Sequence, residues 1–181
     1  MSNWNRVYKP IVVLCAICVV ITGALAATNA ATAPVIAEAT AAAQNAARNE
    51  LLPEAEGAFT KVDGVKVDNV DDVYAADNGA GWVITSNSKG YGGTMTVMVA
   101  FTPDDTIKQI KVTEQGETRG IGSKVAGTPS YWERYQGQPA ADSLKITKDG
   151  GTIDGENSAT ISSRALARAV SSAIEAYNAI P

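Results

Sequence analysis

From Pro10 to Ala33 the chain carries no charged residue, and Val, Ile, Leu, Ala and Cys dominate. A run of about 20 such residues can cross the hydrocarbon core of a bilayer as a helix. Arg6 and Lys9 precede it, and the next charge is Glu38. That asymmetry predicts a single-pass anchor over 10–33, with residues 1–9 in the cytoplasm and the rest of the chain outside the cell membrane. A cleaved signal peptide is the competing reading, because Ala24-Leu25-Ala26 forms a small-x-small pattern after a basic start and an apolar core. The run is long for a signal peptide, which favours the uncleaved anchor.

The 181 residues leave room for one domain beyond the anchor, and 45% hydrophobic residues fit a folded chain. After the anchor, 13 basic residues face 19 acidic ones. An acidic domain repels phosphate backbones, so nucleic acid is not an expected partner. Histidine is absent. The commonest metal ligand and general base are thus missing, as is the usual haem attachment motif, and no metal site is expected. Cys15 and Cys18 have redox-type Cys-x-x-Cys spacing, but they lie inside the apolar run and read as small hydrophobes in lipid.

Residues 34–53 are Ala-rich with scattered polar residues, which predicts a solvated helical stalk ended by Leu51-Leu52-Pro53. Strand-type segments follow. Ala58–Val62 and Val65–Val70 flank Asp63-Gly64, a hairpin signal. Val73–Ala76 and Trp82–Ser86 are split by the turn cluster 77–81. Within Gly90–Phe101 alternation predicts a strand with one face well buried, and Thr106–Thr113 reads as another. Thr128 or Pro129 starts a helix that Gly137 stops; its Tyr131, Trp132 and Tyr135 read as core aromatics, with ligand contact as the alternative. Ser143–Thr147 reads as a last short strand, and Asp149-Gly150-Gly151 as a turn. The acidic side chains of Asp142, Asp149, Asp154 and Glu156 read as solvated loop residues rather than as a hydrolytic pair.

The stretch from Asp154 to Ser163 is polar and rich in hydroxyls, and it runs directly into a helix. Leu166, Val170, Ala173, Ile174 and Tyr177 make one apolar stripe along that helix. Ser162 or Ser163 is the expected cap of the first turn, and Thr160 is expected just before the helix, where free N–H groups and the helix dipole favour a phosphate. On the residues alone, an ordinary capped helix is the favoured reading, because hydroxyls before helices are common.

Ser158-Ala159-Thr160-Ile161-Ser162-Ser163 resembles the flavinylation motif of the FMN-binding domain family, roughly Asp-x-x-Ser/Thr-Gly-Ala-Thr-x-Ser/Thr. That family includes the G subunit of Rnf-type ion-translocating electron transport complexes and the C subunit of sodium-translocating NADH:quinone reductases. Asp154, Ala159, Thr160 and Ser162 match the pattern, whereas Asn157 and Ser158 depart from it. A second stretch, Glu117-Thr118-Arg119-Gly120-Ile121-Gly122, resembles the family's Glu-Thr-Pro-Gly-Leu-Gly loop, with Arg119 in place of Pro and Ile121 in place of Leu.

The resemblance implies FMN joined through its phosphate to Thr160 by a separate flavin transferase. Ser158, Ala159, Ser162 and Ser163 would surround the phosphate. Glu117, Thr118, Gly120, Ile121 and Gly122 would line the flavin side, and no residue is implied to be catalytic. With the order of segments it implies an α+β fold, in which a transmembrane helix precedes one FMN-binding domain over 54–181. That domain would hold a mostly antiparallel sheet and packed helices, including a C-terminal one. The implied function is electron transfer between ferredoxin and NAD in a membrane complex that moves sodium or protons, with flavin and iron–sulfur subunits as partners. A stand-alone extracytoplasmic flavoprotein shuttle and a flavin-free binding domain stay open as alternatives.

Overall fold

The computed structural model describes residues 8–141 and 143–180. Arg6, on which the expected orientation partly rests, lies outside the described residues, as do Asp142 and Pro181. The chain divides into two compact units, one up to Ala43 and one from Gln44 onward.

Helix α1 (Lys9–Leu51) begins one residue before the apolar run, continues past Ala43, and is long and apolar enough to cross a membrane. Ile11, Leu14, Val19, Val20 and Leu25 are all about half exposed or more. A helix that is apolar all round and exposes its large side chains suits lipid as its surroundings.

In the second unit, five strands form one antiparallel sheet in sequential order: β1 (Phe59–Lys61), β2 (Val70–Ala76), β3 (Trp82–Lys89), β4 (Thr94–Phe101) and β5 (Ile107–Glu114). The β2–β3 turn needs Gly81, whose φ is +146° and where a Cβ would sit 2.0 Å from the Phe101 carbonyl oxygen. Helix α4 (Thr160–Asn178) covers one face of the sheet. Short helices α2 (Ser123–Ala126) and α3 (Pro129–Trp132) pack beside it. The fold class is therefore α+β, with a C-terminal helix on a meander sheet.

Val97, Val99 and Phe101 of β4 join Leu166, Val170 and Ile174 of α4 in one core. Burying each of these side chains contributes about 1.5–3 kcal/mol. Ser86 Oγ donates to the Ala169 carbonyl at 2.8 Å, so this hydroxyl in the interface is satisfied. Tyr177 closes the far end of the helix, stacked on Phe101 with ring centroids 4.6 Å apart and set edge-on to Trp82.

The opposite face of β4 is buried too. Met98 and Ala100 pack with Ala47, Leu51, Leu52 and Ala55, from the end of α1 and the turn after it. The expected strand with one buried face is thus a central strand buried on both, which accounts for its near-continuous apolar sequence. The residues read as the end of a solvated stalk are partly core. Arg48 is 5% exposed, with its guanidinium 3.8 Å from the Tyr74 ring centroid. Lys108 and Lys111 of β5 pair with Glu54 and Glu50.

Three expected elements differ. Val65–Val70 is not a strand next to Asp63-Gly64. The partner of β1 is β2, with Lys61 opposite Tyr74, and positive φ at Gly64 (+96°) and Asn69 (+64°) keeps 62–69 a loop. Val65 and Val67 are partly buried against the core without joining the sheet, so their apolar pattern reflects packing rather than pairing. Ser143–Thr147 contributes a single bridge, Ile146 to Ile153, in place of a strand. The helix expected from Thr128 to Gly137 is α3 followed by a tight 3-10 turn at Glu133–Tyr135. Its aromatics are core residues: Tyr131 and Tyr135 are buried, and Trp132 Nε1 donates to the Val125 carbonyl at 2.9 Å. Burial raises both tyrosine hydroxyls above their ordinary pKa.

Tyr177 makes the fold sensitive to alkali. Burial, reinforced by a 2.7 Å hydrogen bond to Asp105 and by its charge, pushes its hydroxyl up to about 12. In the unfolded chain the value is about 10. The folded state keeps a proton that the unfolded state releases, so this stabilisation is complete below pH ~10 and is lost as the pH rises toward 12. Tyr177→Phe retains the ring stack and removes the titration. Thermal melts between about pH 9 and 12 should show a shallower fall in Tm for the variant than for the wild type.

Candidate functional site

Helix α4 starts without a side-chain cap. Ala159 occupies the N-cap position, which methyl side chains fill poorly. The first N–H groups of any helix lack intrahelical acceptors, so the N–H groups of Thr160, Ile161 and Ser162 stay available at its positive end. Thr160 is the first helical residue rather than the one before the helix. The expected capping role of Ser162 and Ser163 is not seen. Both are buried within the first turn, and their hydroxyls donate elsewhere. Ser162 Oγ donates to Glu117 Oε2 at 2.8 Å, and Ser163 Oγ donates to the Ala159 carbonyl at 3.0 Å while accepting the Glu156 N–H.

The Glu117 carboxylate is the hub of this region. It is 8% exposed and accepts from Ser162 Oγ and from the backbone N–H of Tyr91 at 2.8 Å, with the Gly92 N–H at 3.4 Å. Three segments therefore meet on one side chain: the β3–β4 loop, the loop after β5 and the start of α4. Two glycines make space for it. A Cβ at Gly90 would lie 2.0 Å from Glu117 Oε1, and one at Gly122 would lie 2.3 Å from Oε2 and 2.8 Å from Ser162 Oγ. The carboxylate's hydrogen bonds point into the protein, toward the backbone and Ser162.

Above this hub lies a cleft of about 340 Å³. Glu117, Thr118, Ile121 and Gly122 line one wall; Ser158, Ala159, Thr160 and Ser162 line the other. Two of the sequence-derived positions do not reach the lining. Gly120 has a φ of +77° that turns the loop, and Ser163 lies buried beneath the helix start. Tyr91, Asn157 and Ile161 complete the lining; sequence reasoning notes Asn157 only as a departure from the motif and does not single out Tyr91 or Ile161. The glycine cluster around Tyr91 is a usable signal for a close approach, whereas nothing in the pattern distinguishes Ile161. Tyr91 (72% exposed), Ile121 and Ile161 (49% each) give the cleft an apolar rim. A larger hollow of about 920 Å³, between the outer side of α4 and the end of β3, contains none of the predicted positions.

Lys148 also escapes sequence reasoning. Its Nζ donates to Thr160 Oγ1 at 3.2 Å, from the tip of a 3-10 turn at Thr147–Asp149. The next residue, Asp149, takes both arms of the Arg164 guanidinium at 2.6 and 2.7 Å. That pair holds the turn against α4, and the hydrogen bonds from Arg164 lower the Asp149 pKa. Thr160 Oγ1 thus stands at an uncapped helix N-terminus beside an ammonium group. This arrangement suits an anion such as a phosphate, and the apolar rim suits a flat ring.

Residues 90–175 match the family model described as the FMN-binding domain, and residues 1–51 match that of the RnfG N-terminal region. The G subunit of the proton-translocating ferredoxin:NAD(+) oxidoreductase complex of Clostridium ljungdahlii is 33% identical over 157 residues, spanning 83% of this chain and 80% of that one. The G subunit of the ion-translocating oxidoreductase complex of Methanosarcina acetivorans is 31% identical, spanning 99% and 98%. Among solved structures, Shewanella oneidensis NqrC is similar with a TM-score of 0.48 at 24% identity, over 63% of this chain and 62% of that one.

The hub predicts a stability effect apart from any ligand. Glu117→Ala leaves the Tyr91 N–H and the buried Ser162 hydroxyl without their acceptor, and should cost about 1–3 kcal/mol in urea unfolding. Glu117→Gln retains one acceptor oxygen and should cost less.

Proposed function

The chain belongs to the G-subunit family of ion-translocating oxidoreductase complexes, and we propose that it is the FMN-bearing electron-transfer subunit of such a complex. The observation that carries this reading is the Thr160 hydroxyl, set at the uncapped start of α4 and on the wall of a cleft. In this reading FMN is joined through its phosphate to Thr160 Oγ1 by a separate flavin transferase. Bound FMN supplies the one- and two-electron chemistry for which the domain, without Cys or His, has no residue of its own.

The chain's own residues then have distinct tasks. The free N–H groups of the first turn of α4 face the phosphate oxygens. The hydroxyls of Ser162 and Ser163 are engaged within the protein, so they shape the backbone around the phosphate rather than bind it. Tyr91, Ile121 and Ile161 keep water from the ring and present apolar surface at the rim. Glu117 fixes the two walls relative to each other rather than contacting the ring. Thr118 and Gly122 supply the backbone of the flavin-side wall.

The same reading makes α1 the anchor, with residues 1–9 in the cytoplasm and the domain outside. Electrons would pass between ferredoxin and NAD through flavin and iron–sulfur centres on partner subunits, coupled to sodium or proton movement. Residues 34–53 would link anchor and domain, with their last turn part of the domain's core.

Co-production with a flavin transferase tests the reading. The denatured wild-type chain should gain the mass of one FMN less one water, and Thr160→Ala should gain nothing. A wild-type chain without the added mass, or a Thr160→Ala chain that keeps it, would overturn the reading.

A further inference from the structure

We propose that Lys148 is the positioning cation of the Thr160 attachment point. The inference rests on the reading of Thr160 given above. Lys148 Nζ lies 3.2 Å from Thr160 Oγ1, the atom that would bear the phosphate. Its position is built by the fold rather than left to a free side chain. Ile146 and Ile153 bridge the base of the turn, and the Gly151 N–H donates to the Ile146 carbonyl at 3.0 Å. Gly150 closes the turn in the left-handed region at φ +79°. A Cβ at Gly151 would come 2.1 Å from the Lys145 carbonyl oxygen, so the turn can be this tight only with glycine there. The Asp149–Arg164 pair then fastens the turn to the second turn of α4.

Charge explains why a lysine belongs there. Asp149 neutralises Arg164, which leaves Lys148 as the cation hydrogen-bonded to the Thr160 hydroxyl. Before attachment the ammonium donates to Oγ1 and fixes the side chain's direction. The attachment joins Thr160 Oγ1 to the FMN phosphorus of a flavin dinucleotide. One P–O bond of the pyrophosphate breaks, AMP leaves, and the hydroxyl proton passes to the transferase or to water. Negative charge on the phosphoryl oxygens therefore develops next to Lys148, and one negative charge remains on the phosphodiester. The ammonium and the helix N-terminus act on that charge from two directions.

The test compares the full-length wild type, Lys148→Gln, Lys148→Arg and Lys145→Gln, each with purified flavin transferase and flavin dinucleotide. Intact mass over time gives the attachment rate, and the phosphorus-31 resonance reports the surroundings of the attached phosphate. Lys148 is exposed, and circular dichroism melts should show all four chains equally folded. Lys148→Gln should slow attachment about two- to fivefold, the range an exposed charge pair supports, and should move the phosphorus resonance. Lys148→Arg should return both toward wild type. Lys145→Gln, a charge change at the base of the same turn, should alter neither. FMN on Thr160 at an unchanged rate and resonance in Lys148→Gln overturns this inference alone, as does Lys148→Arg behaving like Lys148→Gln. No FMN on wild-type Thr160 overturns both this inference and the function on which it rests.

Discussion

The site depends on one buried carboxylate. Glu117 is enclosed by glycines and held by two backbone N–H groups and one hydroxyl. A buried charge persists only when its hydrogen bonds replace those of water. Here the replacements come from the β3–β4 loop and from the first turn of α4. The two loops and the helix start are therefore fixed relative to one another by the need to solvate one anion. The cleft is the space left above that arrangement. This also separates the residues that build the site from those that meet a ligand, although both kinds lie in the same short motifs.

The frame beneath is equally constrained. β4 is covered on both faces, by α4 on one and by the end of α1 with the turn after it on the other. A strand in that position needs apolar residues throughout, and Met95–Phe101 provides them with Thr96 as the exception. Ser162 is hydrogen-bonded to Glu117 at one end of α4, Tyr177 is stacked on Phe101 at the other, and Leu166, Val170 and Ile174 are buried between them. The mouth of the cleft is thus supported by the main core and not by loop contacts alone.

Much of this is legible in sequence. The apolar run and the stripe along α4 announce themselves through length and period. The Thr160 and Glu117 stretches stand out through resemblance, and most of their residues come together around one cleft. What sequence reasoning misses has physical causes. Val65 and Val67 follow a strand-like pattern but belong to a loop that packs them against the core, and local alternation cannot distinguish these uses. Ser162 and Ser163 have the chemistry of caps, yet a carboxylate distant in sequence recruits the hydroxyl of Ser162. Tyr91 reaches the cleft, and Lys148 reaches Thr160, only because the sheet and the turn at 145–153 bring them there, and no spacing rule relates either to Thr160. The depth of Arg48 is hidden because an Ala-rich helix shows little about which of its faces is covered.

The order of elements along the chain has a consequence for maturation. All five strands and the Glu117 loop precede α4, whose docking supplies both the core's second layer and one wall of the cleft. Until it docks, the carboxylate lacks Ser162 and the threonine has no structured surroundings. On the proposed reading, an attaching enzyme that reads this geometry would meet its substrate only after folding, so attachment would double as a check that the domain had folded.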